Sequence, residues 1–417
     1  MTAWTRSFIK RTFDSLTIYN YRLYFYGQSF SMTGMWMQSV AQGILVLMLT
    51  GSGTALGVVT ALQTVPVLVL GAWGGVMIDR YPKRSILYVS QAASCLLGLA
   101  LGLLIITDSI ELWMVYVSAL VNGLIKVVDN PARQTFVREL VGNDHLTNAV
   151  SLNSMTINLA RVAGPALAGI LIAGVGIGLC FVLGGLTHIA VIITLMLMRA
   201  SELQPAKMVT RAKGQMAAGW NYVREEPVIR NVLVMMVIIG TFTYEFSVVL
   251  PLLAEFTFRN GASGFAALTS AMGVGAVLGG LYTAGKRRSN ARALVKSAAL
   301  FGGSVMLVAF APTFSLAVLG MVIVGFFSIN FTSLGNVTIQ LASRPDMQGR
   351  VMSFWSIAFL GTTPIGGPLM GAVGEHAGAR VALLIGGFAA LVAAGIGLMT
   401  ARQQRDRTDG MEERPAV

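Results

Sequence analysis

Gly74-Gly75-Val76-Met77-Ile78-Asp79-Arg80-Tyr81-Pro82-Lys83-Arg84 closes one apolar run and opens the next. A close glycine pair, an acid at the edge of the run and a short basic turn predict two membrane helices joined at one membrane face. The rest of the chain repeats the pattern. It is 55% hydrophobic and only 12% charged, with a mean hydropathy of +0.70, whereas a soluble domain carries about a quarter charged residues. Apolar runs long enough to cross a bilayer fall at about 22–49, 54–78, 85–107, 112–131, 149–172, 177–198, 231–256, 262–284, 293–312, 315–340, 350–373 and 379–401. The runs are continuous rather than alternating, so the fold class is an all-α membrane protein with twelve transmembrane helices.

The net charge of +12 is placed so as to exclude a nucleic-acid interface. Basic residues gather at Arg6 to Arg22, Arg80 to Arg84, Arg133 to Arg138, Arg199 to Arg230, Lys286 to Lys296, Arg344 to Arg350 and Arg402 to Arg414. The alternate loops at 50–54, 107–111, 173–177, 257–262, 311–315 and 374–380 carry just Arg259 and Arg380. This alternation predicts that both termini are cytoplasmic, in a multi-pass protein of the bacterial inner membrane, and leaves no basic face for nucleic acid. Cys95 and Cys180 lie in apolar runs, which suggests neither a disulfide framework nor a metal site. The first twenty residues lack the apolar core of a cleavable signal.

The longest polar connection, 199–230, divides the chain into a cytoplasmic segment 1–21, a six-helix bundle 22–198, the linker 199–230, a second six-helix bundle 231–401 and a tail 402–417. Trp220 and Val223 are expected on the apolar side of a short interfacial helix in the linker, or in an ordinary solvated connection. The halves echo each other: Gly164-Pro165 returns as Gly367-Pro368 203 positions later, and Gly74-Gly75 as Gly279-Gly280 205 positions later. Two related six-helix halves are a common way to build a transport pathway.

Three stretches carry a resemblance over residues 20–400: Gly75-x3-Asp79-Arg80-x2-Lys83-Arg84, Asn130-Pro131-Ala132-Arg133-Gln134, and Asn158-Leu159-Ala160-Arg161-Val162-Ala163-Gly164-Pro165. Gly349-Arg350-Val351 fits as well. With these the chain resembles the major facilitator superfamily, in particular its bacterial exporters of enterobactin-type siderophores and of drugs. It departs from the family pattern at Pro82, where a glycine is usual, at Ala160 and Ala168 in the antiporter stretch, and at Ala284, which replaces the second-half aspartate. The resemblance implies two pseudo-symmetric bundles and a cytoplasmic gate of Gly75, Asp79, Arg80 and Lys83, with Arg133 as a partner; Lys83 and Arg84 read equally as topology determinants. It also implies a helix-bend packing role for Gly164-Pro165 and Gly367-Pro368, and export rather than uptake.

Ionisable residues inside spans are the next clue, since a charge in hydrocarbon costs at least about 2.5–3.5 kcal/mol unless it faces a cavity or a partner. Lys126, Asp129, Arg161, His188 and Glu245 are such groups. Lys126 and Asp129, three apart, suit an internal pair. Glu245, among Thr241, Thr243, Tyr244 and Ser247 and ahead of Pro251, is the first proton-coupling candidate and Asp129 the second; a structural hydrogen bond is the plain alternative. Arg161 is read as a fixed charge for an anionic substrate or as a counter-ion. His188 is expected to be a packed, hydrogen-bonded imidazole. Trp36, Gln38, Gln42, Gln63, Asn153, Asn158, Asn330, Asn336 and Trp355 are substrate-pathway candidates, because amides beside aromatic faces suit a bulky, partly polar organic molecule.

No phosphate-binding loop, HExxH or nucleophile elbow is present in the sequence, so an enzyme or a cofactor is not expected. The expected partners are a small organic substrate, protons and the lipid bilayer, with the chain acting as a monomer. Siderophore and hydrophobic drug are rival substrates. An uptake symporter or lysolipid flippase of the same fold is the alternative that transport direction in vesicles separates, and a membrane sensor or assembly partner is the alternative outside transport.

Overall fold

The structure is a computed structural model that describes residues 13–142, 144–204, 215–284, 291–344 and 347–412. Among the described residues there are helices and turns but no strand. Six long helices come first: α1 (Tyr19–Thr50), α2 (Gly53–Arg80), α3 (Lys83–Ile106), α4 (Leu112–Val141), α5 (Leu146–Val175) and α6 (Ile177–Leu197). The short α7 (Gln215–Glu225) follows in the linker. Next come α8 (Pro227–Phe242), α9 (Phe246–Leu252), α10 (Gly261–Ala284), α11 (Ala291–Ala309), α12 (Phe314–Ala342), α13 (Gln348–Leu360), α14 (Thr363–His376) and α15 (Ala379–Glu412).

Among the described residues twelve segments are long and apolar enough to span a bilayer, matching the twelve runs read from hydropathy. Two of the twelve are broken. The seventh span is α8 and α9, interrupted at 243–245 and ending in a π-helical turn at Leu253–Thr257. The eleventh is α13 and α14, interrupted at 361–362. Hydropathy sees through both breaks, because the apolar run does not stop where the hydrogen bonding does.

By internal contacts the chain divides into two compact units, one of residues 1–49 with 65–210 and one of residues 50–64 with 211–417. The first unit closes around Tyr21, Tyr24, Phe136 and Leu195, with the Tyr24 and Phe136 rings edge to face at 5.6 Å. The second holds an aromatic cluster in which Tyr244 meets Phe301 at 5.3 Å and Phe359 at 5.4 Å.

Glycine brings the helices together in both units. A Cβ on Gly74 would overlap the Val127 carbonyl, so α2 rides directly on α4. A Cβ on Gly279, its echo, would overlap the Phe326 carbonyl and lie 2.5 Å from Ile329 Cγ2, so α10 rides on α12 in the same way. The sequence echo thus corresponds to one packing solution used once in each unit. Met196, Leu319 and Leu341 are largely exposed on the outside, as lipid contact requires.

Linker helix α7 forms, with Trp220 and Val223 one turn apart along it. Val223 is buried, whereas Trp220 is half exposed, with its ring 5.8 Å from Phe354. The linker residues 205–214 and tail residues 413–417 lie outside the described residues, as do residues 1–12 of the N-terminal segment.

Candidate functional site

Asp129 is the centre of a buried polar network inside the first unit. Its carboxylate pairs with Arg133 one turn along α4. It also accepts hydrogen bonds from Ser90 Oγ at 2.6 Å and Gln91 Nε2 at 2.9 Å, both on α3. Arg133 continues to Gln28 Oε1 at 3.2 Å, and Gln28 Nε2 donates to the Tyr24 hydroxyl at 2.8 Å. A carboxylate only accepts, so the Gln91 amide must turn its nitrogen to Asp129. Its oxygen then faces His188 Nδ1 at 2.8 Å and the Ser31 hydroxyl at 3.1 Å, and both must donate. His188 is therefore a packed imidazole carrying hydrogen on Nδ1. Arg133, one turn further along α4, is the close ionic partner of Asp129, and Lys126, three residues before it, adds a second positive charge that acts on the same carboxylate. Ser90, Gln91 and Gln28 were missed, although Ser90-Gln91-x2-Ser94 stands out as a polar run in an apolar span.

Further along the same helices, Gln38, Gln42, Ser94, Ser118, Asn122 and Phe181 line a cavity of about 20 Å³, room for about one water. Gln38 donates to the Phe181 carbonyl at 3.1 Å and fits a notch left by Gly98 and Gly184. Of the other polar candidates, Asn158 donates to the Ser154 carbonyl of its own helix at 2.9 Å. Asn330 accepts from Thr283 at 2.7 Å and donates to the Phe326 carbonyl at 2.6 Å. Asn336 accepts from Gln340. Trp355 is buried with its ring against Gly335 of α12, and Gln63 and Asn153 are half-buried.

Arg161 and Trp36 come together: the guanidinium carbon lies 5.2 Å from the indole centroid, within cation–π range. Gly164 makes this possible, because a Cβ there would stand 2.5 Å from Trp36 Cβ and 2.8 Å from the Thr33 carbonyl oxygen. Pro165 and Pro368 sit inside the continuous helices α5 and α14. Of the gate residues, Lys83 pairs with Glu139 at 2.6 Å on the same unit, Arg84 donates to the Leu195 carbonyl at 2.6 Å, Arg80 is exposed and Gly75 half-buried. The backbone of Asp79 is in α2, and its side chain lies outside the described residues.

Glu245 stands in the break between α8 and α9 and is 2% exposed. Thr363, the first residue of α14, hydrogen-bonds its carboxyl. Oε1 is buried with no hydrogen-bond partner. The residues beside it are fixed: Thr243 Oγ1 donates to the Gly386 carbonyl at 2.7 Å, and the Tyr244 hydroxyl donates to the Ser328 carbonyl at 3.0 Å. Gly366 and Gly367 leave the space the carboxyl fills, since a Cβ on Gly366 would lie 2.8 Å from Oε1. Among the described residues no cluster of His, Cys, Asp and Glu fits a metal.

Twelve spans, two broken helices and polar side chains turned into the bundle interiors define a polytopic transporter of the major facilitator type. The chain belongs to the family described as transmembrane secretion effector, which matches residues 11–415. It is 27% identical over 348 residues to the multidrug efflux pump Tap of Mycolicibacterium fortuitum, covering 80% of this chain and 85% of that one. It is 25% identical over 361 residues to the enterobactin exporter EntS of Shigella flexneri, covering 85% of each. The staphyloferrin A transporter of Staphylococcus aureus is 31% identical over 152 residues, which is 36% of this chain and 38% of that one. In fold it is similar to the nucleoside transporter NupG, with a TM-score of 0.73 at 14% identity over 91% of this chain and 99% of that one. A POT family transporter in complex with 5-aminolevulinic acid gives a TM-score of 0.76 at 12% identity over 92% and 96%.

Proposed function

We propose that the chain exports a small organic molecule across the bacterial cytoplasmic membrane by alternating access, driven by protons that enter on Glu245. The observation that carries this reading is the orphaned Oε1 of a carboxyl group that is 2% exposed. A carboxylate only accepts, and the neutral acid also donates, so uptake of a proton removes the uncompensated buried charge and lets this group donate as well as accept. Asp129, the second candidate, is already matched by Arg133, Ser90 and Gln91 and is assigned a structural role. Arg161 stacked on Trp36 supplies a positive charge and an aromatic face, which suits an anionic or catecholate solute. The exporters among its relatives agree, since one is named for enterobactin and one for drugs. The cycle is that of a monomer with both termini cytoplasmic, with Gly75, Asp79 and Arg80 at the cytoplasmic gate.

The test uses inside-out vesicles from a strain making Glu245→Gln or Asp129→Asn. Glu245→Gln is expected to lose substrate accumulation driven by a pH gradient while keeping substrate–substrate exchange. Retained pH-gradient drive in that variant overturns the reading. A deletion strain that holds back its own iron chelator identifies a siderophore, and drug sensitivity without retention identifies a drug.

A further inference from the structure

Helix α14 touches the Glu245 carboxyl on one side and the beginning of α2 on the other. A Cβ on Gly367 would lie 3.1 Å from the Gly57 carbonyl oxygen and 3.6 Å from Glu245 Oε2. Gly366, next to it, abuts Oε1 and the Thr241 carbonyl oxygen together. Cβ atoms on Gly57 and Gly371 would overlap the carbonyls of Gly367 and Gly53, so the two backbones meet along four glycines at i, i+4 spacing. One turn beyond Gly371, Glu375 Oε2 accepts from Ser52 Oγ at 2.7 Å, Thr54 N at 2.9 Å and Thr54 Oγ1 at 2.6 Å. That carboxylate caps the first turn of α2, where an anion is favoured. Residues 50–64 and 211–417 form one compact unit, so every one of these contacts is internal to it.

We propose that the Gly366–Gly367 step couples proton occupancy of Glu245 to the docking of the first turns of α2 on α14. The proposal rests on the proton-carrying reading of Glu245 and adds the element through which that proton acts. The neutral acid fits its seat, with Thr363 as one partner and the Thr241 carbonyl on the same side of Gly366 as Oε1. The ionised form has no donor for Oε1 and needs water, and the nearest way to admit water is to part α14 from α2. Since neither glycine has a side chain to yield, movement of the carboxyl is passed directly to the Gly57 backbone. The loop pattern puts this end of α2 outside, so a deprotonated Glu245 opens the crossing to the external proton supply and a loaded one closes it.

The charged and titratable groups on the elements packed around this seat have hydrogen-bond partners of their own. Thr363, Gly366, Gly367 and the Thr241 carbonyl are uncharged. The Tyr244 hydroxyl bonds Ser328, Glu375 is occupied by Ser52 and Thr54, and Arg380 on α15 donates to the Ala311 carbonyl at 2.8 Å. His376 bonds the Ala372 carbonyl at 2.9 Å, and Arg230 lies in the first turn of α8, donating to the Arg224 carbonyl at 3.2 Å.

The experiment places a single cysteine at Ala55, which is 8% exposed on the first turn of α2, in the full chain with Cys95 and Cys180 replaced by alanine. Labelling by an impermeant maleimide is followed in proteoliposomes across pH and normalised to the unfolded chain at each pH. With Glu245 intact, labelling is expected to rise several-fold from acid to alkaline pH. With Glu245→Gln it is expected to stay low throughout. Thr363→Val, which removes the donor to the charged form, is expected to move half-labelling to higher pH. Glu375→Gln is expected to raise labelling at every pH. Labelling that keeps its full pH dependence in Glu245→Gln, or a half-point unmoved in Thr363→Val, overturns the coupling proposal. If that occurs while Glu245→Gln has lost pH-gradient drive, the coupling proposal alone has failed; if drive is retained, the proton assignment has failed first.

Discussion

Replacing Asp129 by leucine leaves the Arg133 guanidinium, 8% exposed, without its counter-charge. Ser90 recovers easily, because its hydroxyl already reaches the Leu87 carbonyl at 3.2 Å. Gln91 loses one acceptor and Arg133 its charge partner, leaving the cation only Gln28 and Met32. The stranded charge dominates, and breaking such a pair costs about 3–5 kcal/mol. The double variant Asp129→Leu/Arg133→Met removes both charges at similar volume, and replacement of a whole buried pair is often neutral or stabilising. It is therefore expected to recover most of the loss. Equilibrium unfolding in mixed micelles, followed by tryptophan fluorescence, measures the wild type, both single variants and the double. A loss below about 1 kcal/mol for Asp129→Leu, well under the buried-pair range, would falsify the reasoning, as would a double variant no more stable than the weaker single. Proton-driven transport surviving in the double variant follows from the same assignment.

Gly279→Ala is expected to cost about 1–3 kcal/mol, because its Cβ meets the Phe326 backbone. Gly280→Ala, with open space around it, should stabilise by up to about 1 kcal/mol; thermal unfolding of the pair checks the contrast. Lys83→Met leaves the nearly buried Glu139 short of a partner and is expected to lower stability by about 1–3 kcal/mol, with Lys83→Arg restoring most of it. Trp36→Leu removes a cation–π contact of about 0.5–2 kcal/mol. It is expected to raise the KM for an anionic substrate by about two- to thirtyfold, and an unchanged KM places Trp36 away from the substrate path.

The twelve spans were legible because burial in lipid demands long apolar runs, and the glycine echo was legible because backbone contact demands the absence of a side chain. What the sequence concealed lay in the third dimension. Spacing along α4 suggested Lys126 for Asp129, whereas the close ion pair is with Arg133 and is completed by Ser90 and Gln91 on a different helix. Gln38 and Gln42, read with Trp36 as one surface, face a small interior cavity, whereas Trp36 turns to Arg161 and Gly164. Asn158 and Asn330 satisfy helix carbonyls, a use of amides that no spacing rule separates from ligand contact. Glu245 was identified by type and depth. The break that receives it is invisible to hydropathy, because Thr243 and Tyr244 interrupt the backbone bonding without interrupting an apolar run.

The orientation imposed on Gln91 has an evolutionary consequence. Its amide reads a pure acceptor on one side and two obligatory donors on the other, so the seam through α1, α3, α4 and α6 has a fixed polarity. Glutamate at this position would set two carboxylates against each other, and leucine would take one donor from Asp129 and the shared acceptor from Ser31 and His188. Descendants of this chain can therefore rewrite the seam only through concerted exchanges at several positions, which makes residues 31, 91, 129 and 188 a natural group to follow as co-varying when lineages diverge.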